Sequence, residues 1–186
     1  MIEAVIFDLG GVLTDCPNTG LIRTVIERHG LRYATLSEHA NDLAAYDRGE
    51  IGLDEFYRRC YPQIDDSVAH RLAEADLATY LTRNEDEIAR LIRLHEDGMK
   101  VAVVSSVNAE TAPLFRERFA DAFAVCDAVL LSGETGIEKP SEELVAELNR
   151  RLDVPIDRML FIDDDPECLD FAARCGAKTE LYRKEK

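Results

Sequence analysis

A chain of 186 residues with 46% apolar and 32% charged residues is long enough for one well-cored domain or a domain with a small insert, and its composition is that of a folded soluble protein. Its 37 acidic residues outweigh 22 Lys and Arg, for a formal charge of -15, which repels a nucleic-acid backbone and an anionic membrane surface alike. The five cysteines are odd in number and include no Cys-x-x-Cys pair, which argues against a zinc site or a disulfide framework and predicts a reduced, cytoplasmic setting.

Met1-Ile2-Glu3-Ala4 has no basic stretch ahead of an apolar run, and no apolar run in the chain reaches the roughly 18 residues of a membrane span, so no membrane partner is expected. Ala4-Val5-Ile6-Phe7 is an unbroken apolar run that stops at Asp8 and is followed by Gly10-Gly11: a buried strand, then a tight turn. From Pro17 to Glu96 no strand pattern appears. Apolar residues recur there at helical spacing, first at Leu21, Ile22, Val25 and Ile26, next at Leu53, Phe56, Tyr57 and Cys60, and then at Val68, Leu72 and Ala75. Asn84-Glu85-Asp86-Glu87 resembles a capping box for the helix that ends before Gly98.

Beyond Gly98 the pattern changes. Short buried strands are predicted at Val101 to Val104, Ala128 to Leu131 and Met159 to Ile162, making four with the first. Between and after them lie helices at Ala109 to Phe119, Ser141 to Leu152 (opened by its Ser cap) and Pro166 to Cys175 (closed by Gly176). Alternation of strand and helix predicts an α/β fold with a doubly wound parallel sheet. In such a sheet the chemistry gathers beyond the carboxyl ends of the strands. Here those ends carry Asp8, then Ser105-Ser106, then Ser132-Gly133 leading to Lys139, then Asp163-Asp164-Asp165.

Each of these has a plain reading on its own. Asp8 would cap a turn, Ser105 and Ser106 would end a strand, Lys139 would sit on the surface, and the acidic triplet would be a solvated turn. Together they are more specific. Adjacent carboxylates at the mouth of a strand repel one another unless a cation compensates, and a few hard oxygen ligands suit magnesium.

The order of these residues, with Ser132-Gly133-Glu134-Thr135-Gly136-Ile137-Glu138-Lys139-Pro140 and Phe161-Ile162-Asp163-Asp164-Asp165-Pro166-Glu167, resembles the four motifs of the haloacid dehalogenase (HAD) superfamily over nearly the whole chain. The resemblance implies a Rossmann-like core of residues 1–16 and 82–186, with residues 17–81 as a helical cap. It implies a magnesium-dependent phosphomonoester hydrolase acting on a small phosphorylated metabolite, such as a sugar phosphate. Asp8 would be the nucleophile, Ser105 would hold a phosphoryl oxygen, and Lys139 would offset the gathered negative charge. The amides of Gly11 and Ser106 would cradle the phosphoryl group, while Asp8, the Gly10 carbonyl, Asp163 and Asp164 would hold Mg2+. Arg48 to Ile51 and Leu53 to Phe56 resemble cap segments of family phosphatases.

One position departs from the pattern. Phosphatases of the superfamily usually carry a second Asp two residues after the nucleophile, where this chain has Gly10. That leaves a catalytically weak or inactive phospho-ligand or protein-binding module as the alternative. Haloacid dehalogenation fits less well, given Gly10 and the acidic cluster.

Overall fold

The computed structural model describes residues 1–15, 20–32, 36–47 and 49–183. A five-stranded sheet, wholly parallel, runs in the order β3-β2-β1-β4-β5. Its strands are β1 (Ala4–Asp8), β2 (Lys100–Ser105), β3 (Ala128–Leu131), β4 (Met159–Asp163) and β5 (Lys178–Leu181). Alternation along the strands loads both faces. Val5, Phe7, Val101, Val103, Leu131 and Ile162 point to one side, where they pack on Ile88 and Leu91 of α5 (Glu85–Glu96), Phe115 of α6 (Ala112–Arg118), Phe119, and Phe123 of α7 (Ala120–Ala124). Ala4, Ile6, Ala102, Val104, Leu130, Met159 and Phe161 point to the other, against Leu144, Leu148 and Leu152 of α9 (Glu142–Leu152) and Leu169 and Ala172 of α10 (Pro166–Arg174). Strands buried on both faces read as continuous apolar runs, which is why they were visible in the sequence.

The chain grows outward from β1 to β2 and β3, then returns to β4 on the other side of β1. The crossovers therefore leave the sheet in opposite directions on either side of β1 and open a crevice beyond the carboxyl ends of β1 and β4.

Between β1 and β2 lie α1 (Gly20–Arg28), α2 (Ala40–Asp47), α3 (Leu53–Cys60) and α4 (Asp66–Tyr80). These helices have an apolar core of their own, built on Ile26, Leu53, Phe56, Tyr57, Val68, Ala69 and Leu72. The two segments leading into and out of this insert run side by side: Asp15 N–H donates to Thr82 C=O at 2.8 Å, Asn84 N–H donates to Leu13 C=O at 2.8 Å, and Thr14 and Arg83 form an antiparallel bridge. Arg83 anchors the outgoing segment through ion pairs with Glu85 at 2.8 Å and Asp121 at 2.6 Å.

Three expectations are corrected. Among the described residues a fifth strand joins the four buried ones expected: β5 is an edge strand whose residues are mostly exposed, so it carries no apolar run. The helix expected over Ala109 to Phe119 starts later and is followed by the separate turn of α7, with Phe119 at the junction. Asn84 stands at the start of α5 but its side chain makes no capping bond; its Nδ2 donates instead to Val12 C=O and to the Tyr182 hydroxyl, both at 2.8 Å. These two bonds hold the Asn84 side chain toward the turn after β1. Helix α2, whose apolar periodicity is weak, was not anticipated. Cys16 and Arg48 lie outside the described residues, as do the side chains of Leu21 and Ile22. Among the described residues Cys60, Cys126, Cys168 and Cys175 are free thiols, and no helix is long and apolar enough to cross a membrane.

Candidate active site

Strand register brings the polar ends together. Phe7 pairs with Ile162 and Asp8 with Val104, so Asp8 stands level with Asp163 on one side and one residue short of Ser105 on the other. Asp8, Asp163 and Ser105 are all buried. Lys139, reached through the short helix α8 (Ser132–Thr135) after β3, extends its ammonium between the first two. Lys139 Nζ donates to Asp8 Oδ1 and, at 3.0 Å, to Asp163 Oδ2. Among the described residues no side-chain hydrogen bond commits the Ser105 hydroxyl, and Ser106 follows it at the surface.

The acidic triplet divides into three separate tasks. Asp163 turns inward: Oδ2 accepts from Lys139, and Oδ1 accepts from the Asp165 amide at 2.9 Å. Asp165 faces away and caps α10, accepting from the Glu167 amide at 2.9 Å. Asp164 lies at the exposed rim, against the turn after β1. That turn, Leu9–Leu13, closes with Gly11 at φ +77° and the Thr14 amide donating to Leu9 C=O at 2.8 Å.

The electrostatics follow from one ammonium facing several carboxylates. Burial pushes the Asp8 carboxyl above its usual range, Lys139 pulls it back, and Asp163 and Asp164 push it further up. Burial alone would lower Lys139, but Asp8 and Asp163 more than offset this and hold it above its ordinary value. Asp164 is raised by partial burial and by Asp163.

Asp8, Asp163 and Asp164 each offer an oxygen, and these atoms lie within 4.8 Å of one another. A hard divalent cation fits this set, because it would balance the negative charge that Lys139 leaves over and because all the donors are carboxylate oxygens. The space at Gly11 supports the same fit: the missing side chain leaves room for the Asp164 carboxylate.

Two details differ from the sequence reading. The Gly11 N–H, assigned there to a phosphoryl oxygen, donates to Thr14 Oγ1 at 2.9 Å, so the turn satisfies it internally. Thr14 is buried and is a residue the sequence reading passed over; a Thr three residues past a positive-φ glycine is its only local sign. Ser132, read from the sequence as a polar strand end and part of a motif, binds Val107 twice, accepting from its amide at 2.8 Å and donating to its carbonyl at 2.9 Å. Gly10, by contrast, is not required by its backbone. It has φ -70° and ψ 123°, and a β-carbon there would meet only Asp8 Oδ2, at 3.8 Å.

The family model of the haloacid dehalogenase-like hydrolases matches residues 2–176. Among solved structures, the chain is similar to a HAD family enzyme of Bacteroides thetaiotaomicron, a mutant in complex with magnesium and inorganic phosphate, at 17% identity over 98% of this chain and 95% of that one, with a TM-score of 0.73. It is also similar to a predicted HAD-like family hydrolase of Porphyromonas gingivalis, at 22% identity over 97% of this chain and 91% of that one, with a TM-score of 0.71. At such identities the likeness is one of fold. A drimenol cyclase of Aspergillus calidoustus is 24% identical over 191 aligned residues, covering all of this chain but 35% of the cyclase, so the chain spans about a third of that relative's length.

Proposed function

The chain belongs to the haloacid dehalogenase-like hydrolase family, and from that membership we propose that it is a magnesium-dependent phosphomonoesterase that uses Asp8 as nucleophile on a small phosphorylated metabolite, of which a sugar phosphate is one example. The observation that carries the reading is the Lys139 ammonium bonded at once to Asp8 and Asp163, with Asp164 close by. A carboxylate cannot approach a phosphate dianion unless positive charge screens the two. Lys139 supplies part of that charge, and magnesium, held by Asp8, Asp164 and the Gly10 carbonyl with Asp163 in support, would supply the rest as a Lewis acid.

In this mechanism an Asp8 carboxylate oxygen attacks phosphorus while the bond from phosphorus to the ester oxygen breaks. The products of that step are an aspartyl phosphate and the departing alcohol oxygen, which takes its proton from solvent because Gly10 provides no acid. Water then attacks the phosphorus of the aspartyl phosphate, the acyl oxygen leaves, and Asp8 returns as a carboxylate with inorganic phosphate released. The Ser105 hydroxyl donates to a phosphoryl oxygen, and the Ser106 amide is assigned beside it. Residues 17–81 act as the cap that closes over the crevice, over a core of residues 1–16 and 82–186; the separate apolar core of α1–α4 supports that division. Free thiols at the described cysteines accord with a cytoplasmic setting.

Gly10 favours a second reading, in which the same site binds a phosphorylated ligand and turns it over slowly or not at all. Phosphate release from an aryl and from an alkyl phosphate, with magnesium or chelator, in wild type and Asp8→Asn, separates the two. Magnesium-dependent release lost in Asp8→Asn supports the hydrolase. Silence across both esters and a wider phosphometabolite panel would leave the binding module.

A further inference from the structure

The loop from β2 to α6, which begins just after Ser105, is gripped from two sides. On the core side Ser132 holds both backbone groups of Val107. Gly133 lies so close that a β-carbon there would stand 2.3 Å from the Ala109 nitrogen. On the other side stands the helical insert. Asn108 is 3% exposed and uses both ends of its amide. Its Oδ1 accepts from the Glu110 amide at 2.7 Å, and its Nδ2 donates to the carbonyl of Tyr46 in the last turn of α2. That carbonyl also accepts from the Gly49 amide at 2.8 Å, so Asn108 completes the end of a helix belonging to the insert. Tyr46 returns the contact through a side-chain hydrogen bond with Thr111, and its burial there raises its phenol to about 12. Two glycines of the insert lie along this seam. A β-carbon at Gly52 would stand 3.2 Å from Glu110 Oε2, and one at Gly49 would stand 3.9 Å from Asn108 Nδ2.

We propose that Asn108 is a positioning residue that ties the helical insert to the Ser105–Ser106 segment, so that the seating of the insert sets how that segment is presented to a phosphoryl group. The functional half of this inference rests on the hydrolase reading of the site; the tie itself does not. A buried amide is needed because the position requires an acceptor for Glu110 and a donor for Tyr46 at once. Aspartate keeps the acceptor and loses the donor. Alanine loses both.

Asn108→Asp and Asn108→Ala are compared with wild type in the full chain by amide hydrogen exchange without ligand, by binding of inorganic phosphate in the presence of magnesium, and by kcat and KM on an aryl phosphate. If the tie exists, Asn108→Asp retains slow exchange at Glu110, while the Gly49 and Glu50 amides that close α2 exchange faster. Phosphate affinity then falls by about tenfold, and kcat falls by about tenfold to a hundredfold, the scale at which a small misplacement costs rate. Wild-type exchange at the end of α2 in Asn108→Asp would overturn the tie, since Asn108 would then shape only its own turn. Faster exchange at α2 with unchanged phosphate affinity and kcat would overturn the positioning role. A wild type that binds no phosphate with magnesium would strike at the hydrolase reading, while the exchange measurement still decides the tie. If Asn108→Ala fails to fold, the aspartate variant carries the test alone.

Discussion

Gly11 and Asp164 share one small volume: a β-carbon on residue 11 would stand 2.2 Å from Asp164 Oδ2, and the backbone at residue 11 has φ +77°. The backbone conformation therefore favours glycine there, and the missing side chain leaves the Asp164 carboxylate its place. Gly11→Ala is expected to cost about 1–3 kcal/mol in stability, from the positive φ alone. It is also expected to push Asp164 out of the cluster and weaken magnesium binding by more than the stability loss explains. Urea unfolding with and without magnesium measures both, and an alanine variant with wild-type magnesium stabilisation would show that Asp164 does not need its present place.

The carboxylates of Asp8, Asp163 and Asp164 converge with only Lys139 to balance them among the described residues. Binding of a divalent cation to the folded state should stabilise it, by about 2.7 kcal/mol when the free ion is at a hundred times its dissociation constant. Thermal unfolding in magnesium and in chelator should therefore differ by several degrees in wild type. Asp164→Asn, which keeps the shape and removes one charge, should lose most of that difference. Equal melting temperatures in wild type would contradict the metal site.

Gly10 has an ordinary backbone conformation and open space beside Asp8 Oδ2. Gly10→Asp should therefore fold, and it would place a carboxyl group beside the nucleophile where a leaving alcohol can take its proton. General acid catalysis is worth about a hundredfold to ten-thousandfold, and most of it falls on poor leaving groups. The variant should gain on alkyl phosphates far more than on aryl phosphates. A loss on both would mean that the added charge disturbs Asp8 more than the proton helps.

Asp76 lies on α4, hydrogen-bonded to Tyr57 and near Tyr46, and burial pushes its carboxyl up to about 6. Its folded state therefore holds a proton that the unfolded chain releases near pH 4. The contribution to stability is complete below about pH 4, is lost as pH rises toward 6, and is flat above. Across that window the loss is about 2 kcal/mol, allowing for partial exposure of the group. Asp76→Asn keeps the hydrogen bond without the titration. It should match wild type at pH 4 and be the more stable protein at pH 8, measured as a difference in urea midpoint so that groups common to both cancel. A constant difference at both pH values would remove Asp76 as the source.

The site was legible where a short local pattern carries it. Asp8, Ser105 and Asp163 each follow an apolar run buried on both faces, and in a parallel sheet the end of such a run is where the chain meets the crevice. The same rule failed for β5, because Lys178, Thr179 and Leu181 are exposed at the sheet edge and pair through backbone groups that leave no mark on residue type. Asn84 was misjudged for a related reason. Its spacing to Glu87 suits a cap, but the carbonyl it serves belongs to Val12, 72 residues away.

What the sequence by itself determined is the α/β class, the order of the polar strand ends and the identity of the groups that meet there. All of these follow from apolar periodicity and from residue types that repel or attract at short range. Only the tertiary structure decided how the Asp163-Asp164-Asp165 triplet divides its work, that Thr14 occupies the Gly11 amide, and that Asn108 closes the end of a helix in the insert. A side chain that bonds a distant backbone group is chosen by where that group lies in space, and neighbouring residues along the chain carry no record of it.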